Sequence, residues 1–119
     1  MDDARVWEFE TALWTEGADH YRRAVDPDGL MVLPAAPYVF DGRAATAAVA
    51  DAPRWTRVRM SDRHIVRPET GWIVVAYAAT ADRGDAATYQ AFCTSTYRRR
   101  DSGDWCLVQH QQTPVPQAG

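Results

Sequence analysis

Tyr97-Arg-Arg-Arg-Asp-Ser-Gly-Asp-Trp-Cys-Leu-Val-Gln-His-Gln-Gln-Thr-Pro114 reads as the end of one strand, a turn, and a strand running back. Asp101-Ser102-Gly103-Asp104 supplies the turn chemistry, and the flanks Tyr89 to Arg99 and Trp105 to Thr113 are rich in aromatic and β-branched residues. A turn centred between Ser102 and Gly103 sets Tyr97 opposite Val108, Ser95 opposite His110 and Cys93 opposite Gln112. Cross-strand partners share a face, so Ser95 and His110 would form a polar pair. A three-residue turn with a bulge would instead set His110 opposite Thr94. Cys93 and Cys106 then lie several rungs apart on neighbouring strands, at about 3.3 Å per residue. That exceeds the roughly 4.4–6.8 Å Cα separation of a disulfide. Reduced cysteines and a cytoplasmic location are expected.

Further strands precede this hairpin. Trp72 to Thr80 is almost wholly apolar, so both of its faces should be covered. Arg57 to Val66 alternates, with Val58, Met60, Asp62, His64 and Val66 on one side. Leu30 to Leu33 predicts a brief strand stopped by Pro34, and 35–40 a loop. The Ala-rich run Arg43 to Asp51 predicts a short helix. Asp3 to Val25 predicts helix, broken at Gly17, with Asp2 or Asp3 as cap and Asp26-Pro27-Asp28-Gly29 as the closing turn. Val6, Phe9, Leu13 and Trp7, Glu10, Trp14 recur at spacings of three and four and form two adjacent stripes. Helices followed by a run of antiparallel strands indicate an α+β domain with the helices on one side of a sheet. The domain is expected to span residues 3–115, leaving 116–119 as a fraying tail.

The chain has 119 residues, the size of one ordinary domain, with a net charge of −3. Its pI near 5.5 opposes nucleic-acid binding, which needs a basic face. The acidic start Met1-Asp2-Asp3-Ala4-Arg5 has no basic n-region, so no signal peptide is expected. Trp72 to Ala79, the longest apolar run, is far short of the roughly 20 residues a membrane helix needs. All 13 basic residues are arginine, which leaves Schiff-base chemistry without a lysine. The five Trp and five Tyr are many aromatics for this length.

Trp105-Cys-Leu-Val-Gln-His-Gln-Gln-Thr-Pro114 and the turn before it resemble the closing hairpin of the nuclear transport factor 2-like superfamily, and more narrowly its SnoaL-like bacterial branch. The helix–Gly17–helix opening, Val32-Leu33-Pro34, Asp41-Gly42-Arg43 and Tyr77-Ala-Ala-Thr fit the same pattern in order. The resemblance implies a cone-shaped roll, also called cystatin-like, in which a strongly curved antiparallel sheet wraps around N-terminal helices. It also implies a homodimer packed through the sheets and a pocket for a small organic ligand. The superfamily includes ketosteroid isomerase, polyketide cyclases and scytalone dehydratase, together with pure interaction modules, so the fold alone does not decide the function. Carrying over the isomerase pattern puts Glu10 at its Tyr, Leu33 at its general base and a residue near Ser95 at its second Asp. Leu33 cannot accept a proton, so steroid isomerisation is not expected.

The candidate catalytic residues are Asp62, His64, His110 and Glu10. Asp62 and His64 share a strand face at about 6.5–7 Å. They either form an acid–base pair inside the cone or satisfy each other near a strand end. Glu10 is a partly buried acid if the Trp7–Trp14 stripe faces the cone, and a surface residue if the other stripe does. Trp7, Trp14, Met60, Ser95, Tyr97 and Gln112 are the candidate pocket lining. The histidines His20, His64 and His110 are too scattered for a metal set, and no phosphate loop is present, so no cofactor or metal is expected. Three functions stay open: binding of a small apolar or aromatic molecule, a cofactor-free acid–base enzyme of cyclase, dehydratase or isomerase type, and a non-catalytic dimerisation module.

Overall fold

In the computed structural model, residues 1–84 and 87–116 are described, and three helices cover one face of a six-stranded sheet. Helix α1 (Asp3–Thr15) starts where the Asp2 carboxylate accepts from the Arg5 amide at 2.8 Å. Its buried residues are Val6, Glu10, Leu13 and Trp14, a single face that takes members of both stripes. Trp7 and Phe9 flank that face half-buried. Helix α2 (Ala18–Ala24) begins after Gly17, and the chain passes directly into strand β1 (Val25–Val32).

Strand β1 is longer than expected because Asp26-Pro27-Asp28-Gly29 lies inside it instead of closing the helix. The segment forms an irregularity between Val25 and Leu30, with the Asp28 amide donating to Asp26 at 2.9 Å. Strand β2 (Val39–Asp41), within the expected loop, pairs antiparallel with β1. Asp41 then caps helix α3 (Gly42–Ala50) by accepting from Ala44. Strands β3 (Arg57–Val66), β4 (Trp72–Asp82), β5 (Tyr89–Arg99) and β6 (Trp105–Pro114) form an antiparallel meander. The spatial order is β2-β1-β6-β5-β4-β3, with β1 parallel to β6. The fold is therefore the expected α+β cone, with a mixed sheet in place of a purely antiparallel one.

Two bulges set which side chains face the helices. In β3 the register shifts between Ser61 and His64, where Asp62 takes φ 49. Aspartate tolerates this left-handed geometry better than most residues. Val58, Met60 and, beyond the bulge, Ile65 pack on the core, so the alternation that grouped Val58 and Met60 with His64 is interrupted. In the closing hairpin Arg99 pairs with Trp105, one residue out from an even turn. A bulge at Val108 restores the count: Tyr97 meets Leu107, while Ser95 meets His110 and Cys93 meets Gln112.

The core lies between sheet and helices, with Val6, Leu13 and Trp14 packed against Met31, Ile73, Val75, Tyr97 and Leu107. Gly42 is required here because a Cβ would sit 2.0 Å from the Asp26 carbonyl oxygen. Cys93 and Cys106 are both free and buried. Among the described residues no helix is long and apolar enough to cross a membrane. Of the expected fraying tail, residues 117–119 lie outside the described residues.

Candidate functional site

A carboxylate without solvent contact sits at the centre of the cone. Glu10 projects from the buried face of α1 and is 0% exposed. Tyr77 and Ser95 donate to its Oε1 at 2.7 and 2.6 Å, and the Tyr97 hydroxyl donates to Oε2. These donors come from the inward positions of β4 and β5, which a strand period of two places on one face. A buried charge persists only when its oxygens find such partners.

The donor chain fixes the histidine tautomer. The one Ser95 proton goes to Glu10, so the 2.7 Å contact between Ser95 Oγ and His110 Nδ1 requires His110 to donate. His110 Nε2 is then an acceptor, and it receives the Gln112 side-chain amide at 3.2 Å. From the other side, the Trp14 indole N–H donates to the Tyr77 hydroxyl at 3.1 Å. All of these hydrogen bonds run in one direction and end on Glu10.

The titration shifts agree with this assignment. Burial pushes His110 below its ordinary value; the Glu10 charge and the Thr94 backbone oppose the shift without cancelling it. The Tyr77 and Tyr97 phenols are held well above theirs, first by burial and then by Glu10. Burial, followed by Glu10, raises the Cys93 thiol to about 12, so it is an inert apolar group. Ser95 is wholly buried, so its hydroxyl relays the network from His110 to Glu10 and is not presented to a substrate.

Beside this network opens a cavity of about 340 Å³. Its walls include Trp14, Tyr21, Leu33, Pro34, Trp55 and Tyr89, and Gln112 reaches into it from the network. Trp55 and Tyr89 stack at 5.5 Å with their planes 16° apart, and the buried Tyr89 hydroxyl has no hydrogen-bond partner among the described residues. Arg54 and Arg83 complete the lining. The Arg54 Nε donates to the Glu16 carbonyl at 2.8 Å, while Nη2 donates to that of Leu13. The Arg83 guanidinium lies over the Trp55 ring at 4.2 Å.

The structure thus brings together Glu10, Trp14, Ser95, Tyr97, His110 and Gln112. Trp7 meets Tyr77 edge-on at 5.7 Å, behind the network, and Met60 packs against the core away from the cavity. Asp62 and His64 lie on the opposite, outer face of the sheet. Their side chains are 82% and 66% exposed and hydrogen-bond to each other at 2.8 Å. The β3 bulge is the reason: it carries His64 to the side of Ala76, away from the helices. Sequence reasoning missed Tyr21, Arg54, Trp55, Arg83 and Tyr89. Trp55 had a usable signal, a large aromatic in a Pro53-Arg54-Trp55 connector where exposure would be wasteful. Among the described residues no cluster of three or more His, Cys, Asp or Glu side chains could hold a metal ion.

No curated protein matches the sequence. Several solved structures share the fold. A Parabacteroides distasonis protein provisionally named a ketosteroid isomerase superposes with a TM-score of 0.78 at 16% identity, covering 92% of this chain and 85% of that one. A nuclear transport factor 2-like protein of unknown function in nutrient uptake, from Rhodospirillum rubrum, gives 0.78 at 20% identity over 98% and 100%. The association domain of calcium/calmodulin-dependent kinase II from C. elegans gives 0.74 at 20% identity over 92% and 91%. At such identities the likeness concerns the fold alone. The sequence profile of the SnoaL-like domain matches residues 4–116, and the chain, whose fold is that of nuclear transport factor 2-like proteins, belongs to the SnoaL-like family.

Proposed function

We propose that this protein binds a small flat molecule, aromatic or apolar, in the cavity at the mouth of the cone. The observation that carries the reading is the cavity itself: about 340 Å³, walled by Trp14, Trp55, Tyr89, Leu33 and Pro34, with Gln112 as an oriented polar group. That size and lining suit a small organic ligand. Binding is favoured over proton transfer because both Glu10 oxygens already accept from hydroxyls of the protein and Glu10 is wholly buried, outside the cavity lining. Thermal-shift measurements with a panel of planar aromatic compounds test the reading. A binder present at a hundred times its Kd stabilises by about 2.7 kcal/mol, roughly 10 °C for a domain of this size. Leu33→Trp, which fills the cavity, should abolish the shift. A panel that shifts neither protein, or shifts both equally, would overturn the reading.

A second reading, self-association as a homodimer, is supported by the outer sheet face. Leu30 and Val39 are 58% and 64% exposed there toward the β2 edge, Phe92 is 56% exposed on β5, and Val66 and Trp72 are exposed toward the β3 edge. Outer faces of half-buried sheets ordinarily carry polar residues, so large apolar side chains distributed across this one suit a face that a second copy covers. The two readings use opposite faces of the sheet and do not compete.

A further inference from the structure

The charge of the cavity lining narrows the ligand class. Among the described residues Arg54 and Arg83 line it and no carboxylate does, although Arg54 also borders the hollow of Glu16 and Asp19. This is unusual in a chain of net charge −3. The hollows lined by Asp62 and His64, by Glu8 and Asp104, by Glu16 and Asp19, and by Asp3 and Glu8 each carry at least one acid. Among the described residues neither Arg54 nor Arg83 forms an ion pair.

Arg54 is held in place before any ligand arrives. Two carbonyls at the end of α1, those of Leu13 and Glu16, accept from Nη2 and Nε, and its guanidinium lies 5.7 Å from the Tyr21 ring centre. Its Nη1 has no acceptor among the described residues, which leaves two N–H donors of a fixed guanidinium. Arg83 is held over Trp55, with one weak contact to the Pro53 carbonyl at 3.4 Å. The Glu10 charge reaches Tyr21 on the cavity wall, but the opposite influence of Arg54 on the same phenol is the larger.

We infer that the cavity takes an aromatic carboxylate, its ring among Trp14, Tyr89, Leu33 and Pro34 and its anion on Arg54 and Arg83. The inference rests on the binding reading above. A planar guanidinium matches a carboxylate in charge and geometry, and the surrounding apolar walls strengthen the contact by excluding water. Gln112 supports the assignment from below: its amide nitrogen is committed to His110, which fixes the orientation of the group facing the ligand.

The test compares 2-naphthoate with its neutral counterpart 2-naphthamide, titrated into the full chain and followed by tryptophan fluorescence at pH 7.5. The carboxylate should bind at least about tenfold more tightly, and the preference should shrink as salt is raised. Arg83→Gln and Arg54→Gln should each weaken naphthoate about tenfold while leaving naphthamide within about twofold. Arg83 makes few contacts in the fold, so its variant remains informative if Arg54→Gln fails to fold. Equal affinities for the two probes would overturn the inference while leaving the binding reading intact. A preference unchanged in the Arg83 variant and in a folded Arg54 variant would overturn it as well. Failure of both probes to bind the wild-type protein removes the binding reading, and this inference with it.

Discussion

Glu10 is the residue on which the inner face depends, since hydrogen bonds from Tyr77, Ser95 and Tyr97 all end on it. Replacing it with Gln sets an amide N–H₂ against hydroxyl donors, and Glu10→Gln should cost about 3 kcal/mol in urea unfolding. Tyr97→Phe removes one bond to a charged acceptor and should cost about 1.5–3 kcal/mol. His110 makes stability depend on pH. Its folded pKa lies below the ordinary value near 6.5, so below that pH the unfolded chain takes up a proton that the native state refuses. Its contribution is complete above about pH 6.5 and is lost as pH falls toward the folded value, with a slope approaching 1.4 kcal/mol per pH unit. His20, also lowered by burial, adds in the same direction. Urea midpoints at pH 7.5, 6.0 and 5.0 should fall less steeply for His110→Asn, whose amide can donate to Ser95 in place of Nδ1. Part of this network was legible in the sequence. Turn chemistry paired Ser95 with His110, although the pairing depends on a turn and a bulge that offset each other. Asp62 and His64 were misplaced because strict alternation continues through a bulge that only the curvature of the sheet demands. Arg54, Trp55 and Arg83 lie in or beside connecting segments, where no periodicity exists to show which way they face.

At the scale of elements, the strands with clear alternation or turn punctuation were legible to within a residue or two. Strand β1 was not, since Pro27 and Gly29 read as a stop. Its tolerance for them comes from a local irregularity against β6 and from close backbone approach: a Cβ on Gly29 would meet the Val108 oxygen at 2.8 Å. Gly42→Ala forces a methyl group into the Asp26 carbonyl and should cost about 3 kcal/mol or more, judged by thermal or urea unfolding. Gly17 is the contrast. Among the described residues a Cβ there meets nothing within 4 Å, and its φ of −99° suits any residue. Gly17→Ser adds a capping hydroxyl to α2 and should raise stability by a few tenths of a kcal/mol, roughly the difference between Gly and Ser caps.

For the whole molecule, the sheet divides two properties between its faces. The inner face carries the buried carboxylate and the cavity; the outer face carries Leu30, Val39, Val66, Trp72 and Phe92 in contact with solvent. Phe92→Glu should leave the monomer fold intact and shift the mass seen by light scattering from dimer to monomer; an unchanged mass would remove the outer-face reading. The inner-face reading is tested most directly by a crystal structure of the protein with the tightest binder from the aromatic panel. The ligand should lie between Trp14, Tyr89 and Leu33, in contact with Gln112. A ligand seated on the outer face of the sheet, or a cavity left empty beside one bound elsewhere, would contradict it.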